Sequence, residues 1–142
     1  MEPAFWDSSS LVPLCVREKT TPVVQALSEA YAHAVWWAAP VELRSAFSRL
    51  IRMNLLTSTQ HVEAQVRLEW LRREWHEILP SSEVRERAER YTDRFPLKVA
   101  DALQLAAAVA WSSGRPRGRA FISGDRQLLE AARELGFKAI EI

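Results

Sequence analysis

Cysteine is almost absent from this 142-residue chain. Cys15 stands alone, which excludes an internal disulfide framework and a cysteine-based zinc site. Histidine is scarce too, and His33, His61 and His76 form no metal-spaced pair. No apolar run approaches the roughly 18 residues that a membrane span needs. Met1 to Asp7 carry neither a basic stretch nor an apolar signal region, so a cytoplasmic location is expected. Charge of one sign is also missing. Nineteen basic against eighteen acidic residues give +1, which is no broad nucleic-acid footprint. No phosphate-cradling Gly-rich loop of the Walker type occurs. Phosphotransferases with an aspartate nucleophile often carry a second Asp two residues on, and here that position is Ser9.

What remains is a chain with 48% hydrophobic residues, enough to build one core and to rule out disorder. No linker, repeat or low-complexity tract divides it, so a single domain over residues 1–142 is expected. Its basic residues are sixteen Arg and only three Lys (Lys19, Lys98 and Lys138). Genomic base composition explains that bias, and so does phosphate recognition by Arg's bidentate fork.

The element order is legible from punctuation and periodicity. Pro3 to Asp7 reads as a buried strand, and Ser8-Ser9-Ser10 cap a short apolar helix through Val16. Thr21-Pro22 opens a second helix to about Tyr31, and His33 to Ala38 is a second strand. Leu43, Ala46, Phe47, Leu50 and Ile51 fall at i, i+3, i+4, i+7 and i+8, an amphipathic helix beginning at Pro40 and Glu42. The spacing predicts helices from about Thr59 to Leu79, from Ser82 to about Arg94, and from Lys98 to Trp111. After a loop over Ser112 to Arg119 come a strand at Ala120 to Ser123 and a helix from Asp125 to Leu135. Gly136 stops that helix and Lys138 to Ile142 is a last strand. Strands alternating with helices predict a three-layer α/β/α domain around a central parallel sheet.

Four acids share one structural address. Asp7, Glu42 and Asp125 each follow a strand where a helix begins, and Asp101 lies in the first turn of an apolar helix. Capping and helix-dipole complementarity account for acids at such positions one at a time. Asp101 resists that account. Its helix carries almost nothing polar except Asp101 and Gln104, three apart on one face, and a carboxylate so placed needs a partner or a cation. In an open parallel sheet the loops after the strands share one edge, so the four carboxylates should gather there and repel one another unless a cation joins them. Oxygen ligands without His or Cys suit Mg²⁺ or Mn²⁺.

At these residues the sequence resembles the PIN-domain ribonucleases, and within them the VapC-type toxins of toxin–antitoxin pairs. Four segments carry the resemblance in order: Phe5-Trp6-Asp7-Ser8-Ser9-Ser10-Leu11-Val12, Glu42-Leu43-Arg44-Ser45-Ala46, Ala100-Asp101-Ala102-Leu103-Gln104-Leu105-Ala106, and Phe121-Ile122-Ser123-Gly124-Asp125-Arg126-Gln127-Leu128-Leu129. The resemblance implies that Asp7, Glu42, Asp101 and Asp125 are the catalytic, metal-binding acids. It makes Ser9 a supporting hydroxyl and puts Ser123 where the family often has Thr. Gln104 stands where a His is common. The resemblance also implies a Mg²⁺- or Mn²⁺-dependent endoribonuclease acting on cellular RNA through metal-activated water, a homodimer, and a cognate antitoxin. The alternatives are a PIN nuclease that matures RNA without being a toxin, and a non-catalytic binding module whose carboxylates hold a structural cation.

Two further features bear on partners. Val62, Val66, Trp70, Leu71, Trp75, Ile78 and Leu79 give the long predicted helix a broad apolar face, for the core or for an antitoxin or second subunit. Arg44, Arg49 and Arg52 on the helix of Glu42, and Arg115, Arg117 and Arg119 in the loop before Asp125, are the candidate RNA contacts.

Overall fold

The computed structural model describes residues 1–142 and contains five strands and seven helices. In chain order these are β1 (Glu2–Trp6), α1 (Ser8–Cys15), α2 (Thr21–Ala30), β2 (Tyr31–Trp36), α3 (Ala39–Arg52) and α4 (Ser58–Glu74). Then come β3 (His76–Ile78), α5 (Ser82–Arg94), α6 (Val99–Trp111), β4 (Ala120–Ser123), α7 (Arg126–Leu135) and β5 (Lys138–Glu141). The strands form one sheet in the order β3-β2-β1-β4-β5, and every neighbouring pair is parallel. No helix is long and apolar enough to cross a membrane.

Alternation along the strands divides the core in two. Phe5, Ala34, Trp36 and Phe121 point to one face and meet α5, α6 and α7. Ala4, Trp6, Val35, Ala120 and Ile122 point to the other and meet α1 to α4. Both faces are apolar because both are covered, as the crossover helices of a parallel sheet require. The three-layer α/β/α arrangement expected from the sequence is therefore the observed one.

The strand order reverses beside β1. The chain winds outward from β1 to β2 and β3, returns to the other side of β1 as β4, and winds outward again to β5. The crevice above the carboxyl ends of β1 and β4 is thus the topological switch point, where open α/β sheets bind ligands. The two ends are locked in register, since the Asp7 N–H donates to the Ile122 carbonyl at 3.0 Å.

Two elements differ from the sequence expectation by more than a residue at an end. The second strand lies over Tyr31–Trp36 rather than 33–38, because Trp37 and Ala38 turn into α3. More consequentially, the helix expected to reach Leu79 ends at Glu74, and His76–Ile78 forms an edge strand on β2. Trp75 and Ile78 are spaced as a helix would space them, which hid a strand of three residues. They pack into opposite cores, Trp75 with α1 to α4 and Ile78 with α5 to α7. The single broad apolar face is therefore corrected. Helix α4 buries Ala64 and Leu68 in the core, while Val62, Val66 and Trp70, at i, i+4 and i+8, form a separate exposed stripe.

Candidate active site

Asp7 is the N-cap residue of α1, yet its side chain makes no cap hydrogen bond. Its carboxylate is held by hydroxyls instead. Ser9 donates to Oδ2, and Ser123 donates to the same oxygen at 2.8 Å. The serines are themselves anchored by backbone, Ser9 Oγ accepting from Gly124 N at 3.0 Å and Ser123 Oγ from Asp125 N at 2.9 Å. The end of β1 and the end of β4 are in this way stitched into one polar unit.

Glu42 is held from a second direction. Its Oε1 accepts from Ser8 Oγ at 3.0 Å and from Gln104 Nε2 at 2.8 Å, while Gln104 Nε2 also reaches Ser8 Oγ at 2.9 Å. Three helices, α1, α3 and α6, thus fix one carboxylate. Gln104 is almost wholly buried and its Oε1 has no partner. The orientation is dictated by the carboxylate, which needs the amide's donor end. Asp125 serves twice, since its Oδ1 accepts from Leu128 N at 3.1 Å and caps α7. Asp125 therefore caps α7 and also lines the cleft described next.

Asp7, Glu42, Asp101 and Asp125 all line one cleft of about 540 Å³, with Ser8, Ser9, Ser45, Arg49 and Lys98 among the other walls. The carboxylates surround the cleft rather than meet at a point. No three His, Cys, Asp or Glu side chains stand close enough, as placed, to share one metal ion. Their charges nevertheless feel one another. Burial raises the Asp7 carboxyl above its ordinary pKa, the Ser9 and Ser123 hydroxyls pull it back, and the Asp125 charge raises it further. Burial also raises Glu42, with Ser8 and Gln104 opposing and Asp7 and Asp101 adding. Asp101 is pushed up to about 6 by burial and then by Asp7 and Asp125, against the pull of Lys98. The result is a cleft whose possible ligands are all oxygen atoms and whose carboxylates repel one another, with Arg49 and Lys98 as the cations on its walls. That chemistry fits a divalent cation such as Mg²⁺.

The arginine candidates separate. Arg49 lines the cleft and makes no ion pair. Arg44 is tied to Glu69 at 3.2 Å, and Arg52 is exposed on the last turn of α3, outside the cleft wall. Arg115, Arg117 and Arg119 precede β4, so the parallel sheet puts their loop at the end opposite the acids. Gly118 N there donates to Gly136 O at 3.2 Å, and the Arg119 guanidinium covers the Trp111 ring at 4.2 Å. Ser8 and Lys98 are the residues that sequence reasoning missed. Ser8 was legible only as a cap, and Lys98 only as one of three lysines.

A larger hollow than the acid cleft lies elsewhere, about 760 Å³ between α1, α2, β2 and α4, walled by Leu14, Ala32, His33, Val66, Trp70 and Leu71 among others.

No known sequence family matches the chain, and no curated protein matches it in sequence. Solved structures do match. The chain has the fold of proteins found in toxin–antitoxin complexes, which is the PIN-like fold expected above. One match is a chain of a toxin–antitoxin complex from Klebsiella pneumoniae, at a TM-score of 0.61 and 16% identity over 87% of this chain and 88% of that one. A second is a chain of VapBC2 from Rickettsia felis bound to a DNA fragment from their promoter, with a TM-score of 0.67 and 11% identity over 98% and 99% of the two chains. A third is PAE2754 from Pyrobaculum aerophilum, with a TM-score of 0.66 and 20% identity over 99% and 89%.

Proposed function

We propose that the chain is a Mg²⁺- or Mn²⁺-dependent endoribonuclease, the toxin of a toxin–antitoxin pair. One observation carries the reading: four carboxylates from four strand-to-helix junctions or helix starts line a single cleft at the switch point of the sheet. The fold shared with chains of toxin–antitoxin complexes supports the same reading. Asp7, Glu42, Asp101 and Asp125 would hold the cation, which when bound lowers the pKa of a water and neutralises charge on the phosphoryl oxygens.

The chain's own residues do the rest. Ser9 and Ser123 fix the Asp7 carboxylate from one side, and Ser8 and Gln104 fix Glu42 from the other, so the acids are held before substrate arrives. Arg49 and Lys98 offer uncommitted positive charge to the RNA backbone at the cleft wall. The antitoxin's apolar segment covers the hollow beside α4, where Trp70 is 67% exposed and Val66 is 50% exposed. A second copy of the chain completes a homodimer.

Purified protein incubated with structured cellular RNA tests the reading. Cleavage that vanishes in EDTA and returns with Mg²⁺ or Mn²⁺ supports it, and full activity in EDTA overturns it.

A further inference from the structure

A second hollow opens on the same edge of the sheet as the acid cleft. It measures about 370 Å³ and is walled by Trp36, Pro80, Ser81, Val84, Arg85 and Leu103. Most of these lie at the carboxyl end of a strand or in the segment that follows it, and Leu103 joins them from α6. Trp36 ends β2, Pro80 and Ser81 follow β3, Val84 and Arg85 open α5, and Leu103 lies in the first turns of α6. The start of α6 is the wall between the two hollows, with Asp101 lining the acid cleft and Leu103 the second hollow.

The lining suits a nucleobase. Its floor is the indole of Trp36 and the aliphatic Val84 and Leu103, and Arg85 is an exposed cation without an ion pair. The volume falls at the small end of ligand pockets, room for a base with its sugar rather than for a helix or strand of a protein. Beside it stands Trp37, 51% exposed, its ring meeting Trp36 edge-on at 6.5 Å between centroids. Its half-exposed indole offers a flat apolar face on this edge of the sheet. The main chain that carries Trp37 is fixed: its backbone N–H donates to the Ile78 carbonyl at 3.0 Å, and the Ala38 carbonyl accepts from the Glu42 backbone N–H at 3.0 Å. Aromatic faces interleaved with uncommitted cations are how proteins hold single-stranded nucleic acid.

We propose that this hollow and the exposed Trp37 beside it together form a nucleobase subsite for single-stranded RNA, with Trp37 stacking a base on the edge of the sheet that carries the acids and Arg85 contacting the backbone. The inference rests on the nuclease reading and extends it. It makes the substrate single-stranded or locally unpaired at the cut, because a base inside a duplex cannot reach a stacking face.

The test uses a fluorescein-labelled single-stranded RNA about a dozen nucleotides long, bound in EDTA, and the same RNA with one abasic nucleotide at successive positions. Trp37→Ala is expected to weaken binding about ten-fold, Trp37→Phe to restore most of it, and Arg85→Gln to weaken binding and flatten its salt dependence. One abasic position should cost the wild type about as much as Trp37→Ala does, and cost the variant almost nothing more. Both residues are exposed, so unchanged melting temperatures will show the fold intact. Equal binding by wild type and Trp37→Ala, or abasic penalties that simply add, would overturn the subsite while leaving cleavage and the nuclease reading standing. Loss of antitoxin binding in Trp37→Ala with RNA affinity unchanged would overturn it too, in favour of a protein contact. A wild type that neither binds nor cleaves RNA would sink both readings.

Discussion

Ser123 and Asp7, 116 residues apart in sequence, meet at 2.8 Å, the hydroxyl donating to Oδ2 while its own oxygen accepts from the Asp125 N–H. A single buried hydroxyl therefore relates two of the four acids. Ser123→Ala should leave the Asp125 N–H without that partner and Asp7 with one donor fewer. A stability loss of about 1–3 kcal/mol is expected, with a fall in cleavage rate of about ten- to a hundred-fold. Denaturant titration and single-turnover cleavage check both; wild-type values in each would show that the hydroxyl holds nothing.

Asp7→Asn and Asp101→Asn should each reduce RNA cleavage by about a hundred-fold or more while the fold persists. Growth inhibition on expression should disappear in parallel. Either variant cleaving at the wild-type rate in Mg²⁺ removes that residue from the ligand set.

The raised carboxyl groups give a pH dependence with a definite sign. Asp7, Glu42 and Asp101 bind protons more tightly folded than unfolded, so their contribution to stability is present at low pH. It is lost as pH rises from the ordinary carboxyl range through about 6, the value for Asp101. In EDTA, melting temperature should therefore fall from pH 5 to pH 7 on account of these groups, and Mg²⁺ should restore it. Asp101→Asn should gain about 1 kcal/mol at pH 7 without metal, roughly 2–4 °C, allowing for screening of a half-buried group. A melting temperature in EDTA that rises over that interval in wild type and variant alike would contradict the electrostatic account.

The arginines should divide as the sheet divides them. Arg49→Gln with Lys98→Gln should weaken RNA binding across sequences and reduce the salt slope by about 0.7 per lost contact on single strands. The triple Gln variant at Arg115, Arg117 and Arg119 should leave both unchanged, because that loop is at the far end of the strands. The reverse pattern would place the RNA path away from the acid cleft.

Trp70→Ala changes an exposed side chain, so stability should move by no more than about 0.5 kcal/mol. Affinity for the co-expressed antitoxin should nevertheless fall by about thirty-fold or more, as truncation of an interface hot spot does. Calorimetric titration reads the difference, and undiminished affinity would move the antitoxin off this face.

The four acids were legible because each sits at a strand-to-helix junction or in a first helical turn, places set by local sequence. Other features depended on long-range register. Gln104 showed itself as a polar residue on an apolar helix, but its bonds to Ser8 and Glu42 require α1, α3 and α6 to be placed together. Edge strand β3 was hidden because its apolar spacing continues that of α4, and pairing with β2 decided its conformation. The loop arginines misled for a geometric reason. Arg119 is six residues from Asp125 in sequence, yet a whole strand separates them in space.

Strand β1 precedes β4 by more than a hundred residues in the chain and is also the centre of the sheet, with β4 as its neighbour. Until residues 120–125 have emerged, Asp7 lacks the Ser123 hydroxyl, and the acid cleft lacks one of its walls. A growing chain accordingly carries Asp7 without this partner until Ser123, 116 residues further on, has been made. Closure of the acid cleft therefore waits on β4, and a chain still short of residue 120 cannot hold Asp7 as the finished cleft does.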